Sequence, residues 1–495
     1  MKMYKFLGCM SILALATTFV ACSDDDNSQV PQPEEQTVKY VWSKDDGLTA
    51  CDHLLFDADG KENPNGTVIG NGESSFVFTG NQTIKKGKYL LKGWVYVKSG
   101  ASLTIEPGTI IKGDKGTKAT LIVEPGGKLI AKGNQNEPIV FTSAQSAGNR
   151  KPGDWGGLVI CGKAPNNNGT MAQQIEGGPR TKHGGTDAND NSGVLSYVRI
   201  EFAGYPFEKD KEINGLTLGS VGAGTTLDHI QVSYSNDDSY EWFGGTVNAK
   251  YLIAYRGWDD DFDTDNGYSG NVQYGISIRD SRLADASQSN GFESDNNAGG
   301  TTAEPYTGVK FSYMSFFGPK AFDANFKNDV NYINGGGMNP ENGSSMGLFQ
   351  AAMHIRRNSH LSCDRSLVVG WPVGVILDNE KGNTQEAATN CVLKLGDITF
   401  VGSDIIGSDF NKVYKDELYD YKSKTTDPAK PSFTSTYIKR PENNNTIIAA
   451  WTAQTWSGIS SILNINKKYS GIGAFPDGND WSLGWANFDP QNTAY

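Results

Sequence analysis

The segment DDDFDTDNG, residues 259–267, contains five aspartates within seven positions: Asp259, Asp260, Asp261, Asp263 and Asp265. Two kinds of chemistry use carboxylates at this density. Hard cations such as Ca²⁺ take oxygen ligands from several carboxylates at once. A pair of carboxyl groups at a suitable separation can instead supply the acid and the base of glycoside hydrolysis. The segment therefore marks a candidate site for cation binding or for acid–base chemistry.

The same acidic pattern recurs along the chain. A shift of 22 positions aligns residues 237–241 with residues 259–263, so that Asp237, Asp238 and Glu241 each fall on an aspartate. An aromatic residue followed by an acid marks four units: Tyr240-Glu241, Phe262-Asp263, Phe292-Glu293 and Phe322-Asp323. Because neighbouring residues of a strand face opposite ways, we expect the aromatic residues of these units to stack inside the fold and the acids to stack outside.

Stacked carboxylates require a compensating charge. Adjacent coils lie about 4.8 Å apart, where two carboxylates repel by roughly 1 kcal/mol in water and about 4 kcal/mol near a protein surface. Positions 237–265 hold eight acids and only two bases, Lys250 and Arg256. A bound cation, shared protons or distant basic residues would each compensate this negative charge, and Ca²⁺ is the simplest single compensation. The predicted metal ligands are Asp237, Asp238, Glu241, Asp259, Asp260, Asp263 and Asp265.

The acidic segment does not match an EF-hand loop. Asn266 stands where that loop has glycine, and Val272 stands where it has the bidentate glutamate. A calcium site here would therefore draw its ligands from adjacent coils. The alternative is that these Asp and Asn residues cap turns and accept hydrogen bonds from backbone amides. The sequence leaves both interpretations open.

Two tryptophans flank the acidic motif and two further acids extend it. Trp242 and Trp258, together with Glu293 and Asp295 of the third motif copy, are predicted to contact a ligand. The alternative for each tryptophan is a place in the core of the fold, which is the common fate of a large aromatic residue.

An enzymatic interpretation uses the same carboxylates. Pectin-cleaving β-helix hydrolases have aspartates arranged in this way, but they also have His-Gly and Arg-x-Lys elements just downstream, and neither occurs at a comparable place here. Lyases of that architecture use an arginine or lysine base beside calcium. Arg356 and Arg357 are candidates for that base, although no sequence spacing ties them to the acids.

Short alternating apolar runs with Pro-Gly turns fill residues 81–402, and sustained helical periodicity is almost absent. The units ASLTIEPGTIIKG (101–113) and ATLIVEPGGKLIAKG (119–133) repeat a strand–turn–strand pattern. This organisation predicts an all-β fold, a right-handed parallel β-helix with loop insertions. A β-sandwich is the main rival, but it does not explain the repeated Glu-Pro-Gly unit.

The two ends of the chain differ from this middle. Residues 1–21 have the basic start and apolar stretch of a signal peptide, and Cys22 is the predicted lipidation site. Residues 22–40 read as an acidic tether and 41–80 as an irregular N-terminal cap. Residues 403–495, which hold Trp451, Trp456, Trp481 and Trp485, are predicted to cap the other end.

The net charge and the cysteine content narrow the class of protein to which this chain can belong. The chain has 44 basic and 56 acidic residues, a formal charge of −12, which becomes −14 once Lys2 and Lys5 leave with the signal peptide. This balance argues against nucleic acid as a partner. Beyond Cys22, the cysteines are Cys51, Cys161, Cys363 and Cys391, too few for a disulfide framework. Cys363 and Cys391 could be neighbours.

Three stretches resemble a known group of proteins: CSDDD at 22–26, the LTIEPGTIIKG and GDWGGLVICGKAP coils, and residues 240–297. The chain is similar there to the largely uncharacterised β-helix surface lipoproteins of Bacteroidota. The resemblance implies an outer-membrane protein at the cell surface that helps a TonB-dependent transporter and its capping lipoprotein to capture glycan or peptide. It implies no catalytic residues.

Two functional hypotheses follow. The first is a non-enzymatic, lipid-anchored binding or accessory protein that presents the acidic face to a glycan or peptide ligand. The second is a calcium-dependent polysaccharide lyase or glycoside hydrolase. They differ in one structural feature, since an enzyme needs a base or acid within hydrogen-bond reach of the metal or of the acid pair.

Overall fold

The computed structural model describes residues 50–208, 211–338, 344–390, 392–408, 438–439, 463 and 467–495. Within these residues the chain winds as a parallel β-helix, and nearly all strand pairs in its two long sheets are parallel and in register. The predicted fold class is confirmed.

The first sheet has twelve strands within the described residues. They are Ala50–Cys51, Phe76–Phe78, Trp94–Val97, Thr120–Val123, Gly157–Cys161, Leu216–Val221, Tyr240–Gly245, Phe262–Asp265, Phe292–Ser294, Ala351–Ile355, Val373–Leu377 and Ile405–Ser408.

The second sheet has seventeen strands in the same part of the chain. They are Leu55–Phe56, Val68–Ile69, Asn81–Ile84, Lys88–Leu91, Ser102–Ile105, Ile110–Gly113, Lys128–Lys132, Ile139–Ser143, Gly193–Glu201, Thr226–Ser233, Ala249–Tyr255, Asn271–Ile278, Lys310–Ser312, Ser315–Phe317, Ser362–Val369, Lys394–Val401 and Ile438–Lys439.

Smaller elements project from the coils. Two antiparallel hairpins pair Gln173–Gln174 with Lys182–His183 and Pro206–Glu208 with Lys211–Glu212. The described helices, Val330–Asn334 and Thr384–Thr389, are short and lie in loops between coils. No helix in the described ranges is long and apolar enough to cross a membrane.

One side chain in two from each long strand points into the space between the sheets, where a continuous apolar column forms. Leu158, Leu216 and Tyr240 occupy equivalent positions on successive coils and are fully buried. Aromatic rings also stack there, with the Tyr240 and Phe262 centroids 5.3 Å apart and their planes 11° apart. This core fixes the coil register and thereby the positions of the outward-facing residues.

The coil repeat differs from the repeat visible in the sequence. The Glu-Pro-Gly turn at 106–108 joins two strands of the second sheet, whereas the turn at 124–126 leads from the first sheet to the second. The two turns are therefore not equivalent. Trp94 lies beside Thr120, and Ser102 lies beside Lys128, so these coils advance by 26 residues rather than 18.

The ends of the solenoid also differ in extent from the sequence-based boundaries. Strands at 50–51, 68–69 and 76–78 already pair in parallel with later coils, so coil stacking begins inside the segment predicted as an N-terminal cap. The signal peptide, the Cys22 lipidation site and the tether lie outside the described residues, as does Cys391. Cys51, Cys161 and Cys363 are free thiols.

The described C-terminal residues 467–495 are irregular but lie along the flank of the second sheet rather than over an open end. Trp485 packs edge-on against Tyr197 and His229, two members of an outward stack of rings. The Arg150 guanidinium donates hydrogen bonds to the carbonyl oxygens of Pro490 and Thr493 at 2.6 and 2.9 Å. The segment therefore ties together coils that are distant in sequence.

Candidate functional site

The acidic motif forms one column on the outer face of the first sheet. Glu241 lies beside Asp263, and Asp263 lies beside Glu293, each on the next coil. The aromatic partners of these acids face the core, since Tyr240, Phe262 and Phe292 are fully buried. The predicted register of aromatics inside and acids outside is confirmed for these three units.

The fourth predicted unit is wrong. Phe322-Asp323 lies in the loop between two coils, where Asp323 accepts hydrogen bonds from the hydroxyls of Ser281 and Tyr332. The next coil instead places Met353 beside Phe292 and His354 beside Glu293. The long insertion of residues 318–350 separates this coil from the motif, so a fixed sequence offset could not find it.

The carboxylates are not on an open surface, contrary to the prediction of an exposed negative column. Glu241, Asp263 and Glu293 are only 5%, 7% and 7% exposed. Both small hairpins carry an acid toward the same region: desolvation and then Glu212 and Glu176 raise the pKa of Asp237 well above its usual value. Because these carboxyl groups are buried, ionising them costs far more free energy than it would in water.

A ladder of side-chain hydrogen bonds runs beside the column, and its members lie two positions before the first residue of each strand. The Asp260 amide donates to Asp238 Oδ1 at 2.8 Å, and the Asn290 amide donates to Asp260 Oδ1 at 2.5 Å. The ends of the ladder are asparagines: Asn214 Oδ1 accepts from the Asp238 amide at 3.2 Å, and Asn290 Oδ1 accepts from the Ala351 amide at 3.0 Å. An amide oxygen thus builds the same rung as a carboxylate oxygen.

The predicted ligands gather into three overlapping triads, in each of which one oxygen per residue lies within 4.8 Å of the others. All but one of the seven predicted metal ligands take part, and Glu293 joins them. The first triad is Asp237, Asp238 and Asp259; the second is Asp238, Glu241 and Asp263; the third is Asp260, Asp263 and Glu293.

Asp265 stands apart from these triads among the described residues. Its two carboxylate oxygens accept hydrogen bonds from the backbone amide and the side-chain amide of Asn266, at 2.5 and 2.8 Å. Asp261 also has another role, because it forms a fully buried ion pair with Arg279 at 2.9 Å. Desolvation outweighs that pair and raises the pKa of Asp261 to about 6.

Crowding and burial change the protonation of the triads. Desolvation, followed by neighbouring carboxylates, raises the pKa of Asp238, Glu241 and Asp263 well above the usual range. Desolvation and then Glu293 raise the pKa of Asp260 to about 8. Without a cation, the column therefore keeps protons at neutral pH.

At the C-terminal end of the column, arginine and histidine side chains of the protein pair with the carboxylates. The sequence spacing did not reveal these partners. Arg356 contacts Glu293 and donates through Nε to Asp295 Oδ1 at 2.9 Å, while Arg357 Nη1 donates to Asp295 Oδ2 at 2.8 Å. His354 Nδ1 lies 3.1 Å from Glu293 Oε2. The run HIRRNSH supplied the right residue types, but only the coil register shows what they face.

Trp242 and Trp258 do not face a ligand. Trp242 is fully buried and stacks on Tyr268 in the core, with centroids 5.3 Å apart. Trp258 is 1% exposed and its indole donates to Asp285 Oδ1 at 2.8 Å. The core alternative holds for Trp242, since a strand that carries an acid outward turns the next residue inward. Trp258 lies between two strands and is buried in a separate apolar cluster with residues such as Ile278 and Phe317.

A match to one protein family agrees with this architecture. Among solved structures, the Dettilon tailspike protein is similar, with 12% sequence identity and a TM-score of 0.22 over 68% of this chain and 64% of that chain. This chain thus spans less than two thirds of that protein's length. No curated protein matches the chain. The profile of a family described as "Pectate-lyase like beta helix domain" matches residues 77–457. That match covers well over half of the sequence, and the chain therefore belongs to the pectate-lyase-like β-helix family.

Proposed function

We propose that this protein binds polysaccharide at the outer face of its first sheet, with the help of a divalent cation held by the acidic column. The observation that carries the proposal is the set of three overlapping carboxylate triads in a partly covered position. The family description supports the substrate class, because pectate is a polysaccharide. The formal charge of −12 disfavours direct binding of a polyanion unless a cation lies between the two.

The residues present fit a calcium ion. Ca²⁺ takes six to eight oxygen ligands in flexible geometry, whereas Mg²⁺ demands a near-ideal octahedron and sheds water reluctantly. Carboxylate oxygens separated by up to 4.8 Å suit the larger ion. Asp263 Oδ1 is buried, and no hydrogen-bond donor reaches it within the described part of the chain. When bound, Ca²⁺ would supply the positive charge that this column otherwise takes from protons.

A second candidate function is polysaccharide cleavage, by a lyase or a hydrolase. A specific observation favours it: His354 and Arg356 both lie within ion-pair distance of Glu293, which belongs to the third triad. An acid or base beside an acid pair is the feature that separates an enzyme from a binding protein. Both functions require the protein to bind polysaccharide, and polysaccharide binding is therefore the primary proposal.

The cellular setting of the proposal rests on the N-terminal sequence. Signal-peptide features in residues 1–21 and the acidic residues after Cys22 support a lipid-anchored protein on the outer-membrane surface. In that setting the glycan or peptide ligand would be passed to a TonB-dependent transporter and its capping lipoprotein. This part of the proposal is tested by labelling intact cells, where a protein inaccessible from outside would contradict it.

The function is tested with purified protein and a panel of neutral and acidic polysaccharides. Retardation in polysaccharide-containing gels, with calcium and with a chelator, measures binding. Release of reducing ends and formation of unsaturated products measure cleavage. We expect calcium-dependent retardation by at least one polysaccharide, and Asp364→Asn, an exposed carboxylate paired with Arg365, is the matched control. If no polysaccharide binds with or without calcium, the proposal is wrong.

A further inference from the structure

The charges of the solenoid are divided between its coils. Residues 81–133, among the first coils, contain ten lysines and three acids, whereas residues 237–265 contain eight acids and two bases. The formal charge of −12 therefore combines a basic N-terminal part with an acidic middle. We propose that exposed lysines of the first coils bind an anionic lipid surface. This goes beyond the proposed polysaccharide binding and rests on the proposed function only for the lipid-anchored setting.

Half of the ten lysines have partners within the chain. Three form ion pairs with carboxylates, one donates to a main-chain oxygen, and one lies over an aromatic ring; they are Lys85, Lys86, Lys115, Lys112 and Lys118. The ion pairs of the described residues do not include the other five, which are Lys88, Lys92, Lys98, Lys128 and Lys132. These five are the lysines whose charge is open to an outside partner.

Two of these five meet a further lysine at one edge of the solenoid, where successive coils turn from the first sheet to the second. The Lys128 amide donates to the Ala101 carbonyl at 3.0 Å, so Lys128 lies one coil beyond the turn that begins at Lys98. On the next coil, Lys163 reaches back to the turn at Gly126, where an added β-carbon would lie 2.8 Å from its Nζ atom. All three lysines are exposed, and together they are called the lysine edge.

The acids near the lysine edge do not cancel its charge. Glu124, at the start of the second of these turns, pairs with Arg180 at 2.9 Å. Asp190 interacts electrostatically with Lys163, but it does so from a largely buried position. The lysine edge therefore presents a net positive charge to its surroundings.

The type and place of these bases favour a lipid surface over a single acidic polymer. The ten bases of residues 81–133 are all lysines, and the first arginine of the chain is Arg150. Arginine offers the fixed, bidentate geometry that recognises individual carboxylates, whereas lysine acts as a hydrated point charge. Lysines clustered close to a membrane anchor bind anionic headgroups without such geometry. The lysine edge lies among the first coils after the predicted anchor at Cys22.

Binding at the lysine edge would orient the solenoid. The coil of Lys163 contains the strand Gly157–Cys161, and the strand that carries Glu241 lies two coils further along the sheet. An anionic surface attracts the first coils and repels the acidic column, so the column is held away from the lipid and open to a ligand.

Sedimentation with lipid vesicles tests the proposal. The mature chain, residues 22–495, is used with Cys22→Ala so that no acyl chain contributes, and a chelator prevents calcium bridges. We expect binding to phosphatidylcholine vesicles that contain phosphatidylglycerol, little binding to phosphatidylcholine alone, and loss of binding at about 1 M salt, where the Debye length falls to about 3 Å. Each lysine near an anionic surface contributes about fivefold to partitioning, so the triple variant Lys98→Gln, Lys128→Gln, Lys163→Gln should partition about a hundredfold less.

The matched control removes three exposed lysines from later coils, as Lys310→Gln, Lys381→Gln, Lys394→Gln. Its net charge equals that of the first triple variant, and we expect its partitioning to fall by less than about threefold. Because all six side chains are exposed, both triple variants should keep the melting temperature of the parent protein.

Equal partitioning onto neutral and anionic vesicles, or equal losses in the two triple variants, would overturn the proposal. Binding to an acidic polysaccharide but not to vesicles, lost in the first triple variant, would also overturn it and assign the lysine edge to a glycan. That variant should keep the calcium-dependent polysaccharide retardation of the parent protein. If the parent protein binds no polysaccharide, the proposed function fails while the vesicle result stands, so the two failures are distinguishable.

Discussion

His354 Nδ1 lies 3.1 Å from Glu293 Oε2 on the preceding coil, and its Nε2 atom lies 3.3 Å from Asp378 Oδ2 on the other side. The imidazole is fully buried between these two carboxylates. The acidic column ends at His354, because Ile376 occupies the equivalent position on the following coil. One histidine therefore separates a charged stretch of the solenoid face from an apolar one.

This arrangement predicts a pH-dependent contribution to stability. Desolvation lowers the pKa of His354, but Asp378 and Glu293 outweigh it and raise the pKa to about 9. A raised pKa means that the stabilisation is complete below the unfolded value of about 6.5 and is lost as pH rises through about 9. We expect His354→Gln to remove on the order of 3 kcal/mol of the wild-type decline over that interval.

Denaturant unfolding at pH 6 and pH 9 measures the effect. His360→Gln is the matched control, since His360 stacks on Tyr306 and desolvation lowers rather than raises its pKa. Identical pH slopes for the wild type and His354→Gln would show that the imidazole is not charged in the folded protein.

The arginine at the end of the column should be structurally essential. Arg356→Met leaves Glu293 and Asp295 partly uncompensated in a buried place, and removing one partner of a buried ion pair typically destabilises by about 3–5 kcal/mol. Arg365→Met, which breaks the exposed Arg365–Asp364 pair, should change stability by no more than about 1 kcal/mol. Equal losses in the two variants, measured by denaturant unfolding, would contradict this account.

Trp242 provides a test of core against ligand roles. Its full burial and its stacking on Tyr268 predict that Trp242→Ala costs about 3–5 kcal/mol of folding free energy. Trp242→Phe should cost less and should leave polysaccharide retardation unchanged at a temperature where the protein is folded. Loss of retardation by Trp242→Phe without loss of stability would restore a ligand-contacting role.

The sequence predicted those parts of the fold that depend on local alternation. The 22-residue offset between 237–241 and 259–263 appears in the structure as the Glu241–Asp263 register, because both coils have the same length. The third unit, Phe292-Glu293, lies 30 residues after Phe262-Asp263 and was identified by its aromatic–acid pair rather than by this offset. The same kind of pair at Phe322-Asp323 is misleading, because it lies inside an insertion. A sequence offset identifies stacked residues only while successive coils have equal numbers of residues.

The sequence did not indicate which acids of the column are buried or which basic residues pair with them. Nothing in the spacing between Glu293 and Arg356 indicates contact, since the two are brought together by the register of Phe292–Ser294 with Ala351–Ile355. The hairpins that carry Glu176 and Glu212 toward Asp237 come from loops with no strand pattern of their own. Alternation shows that Asp263 leaves the core, but it does not show what covers the outer face.

The ladder predicts opposite effects for two conservative changes on adjacent coils. In the metal-free protein, the raised pKa of Asp260, about 8, means that stability falls as pH rises from about 4 to about 8. Asp260→Asn keeps its rung to Asn290 and removes this decline, so it should be more stable than the wild type by about 1–3 kcal/mol at pH 9 and little different at pH 4.

Asn290→Asp makes the reverse change. Its oxygen can still accept from the Ala351 amide, but a new buried carboxylate then stands next to Asp260 in the ladder. We expect it to lower stability at pH 9 by a similar amount, about 1–3 kcal/mol, and to have little effect at pH 4, where the carboxyl is protonated. Thermal and denaturant unfolding in the presence of a chelator measure both variants. Two shifts of the same sign at pH 9 would mean that the rung itself, rather than its charge, controls stability, and the asparagines at the two ends of the ladder would then need another explanation.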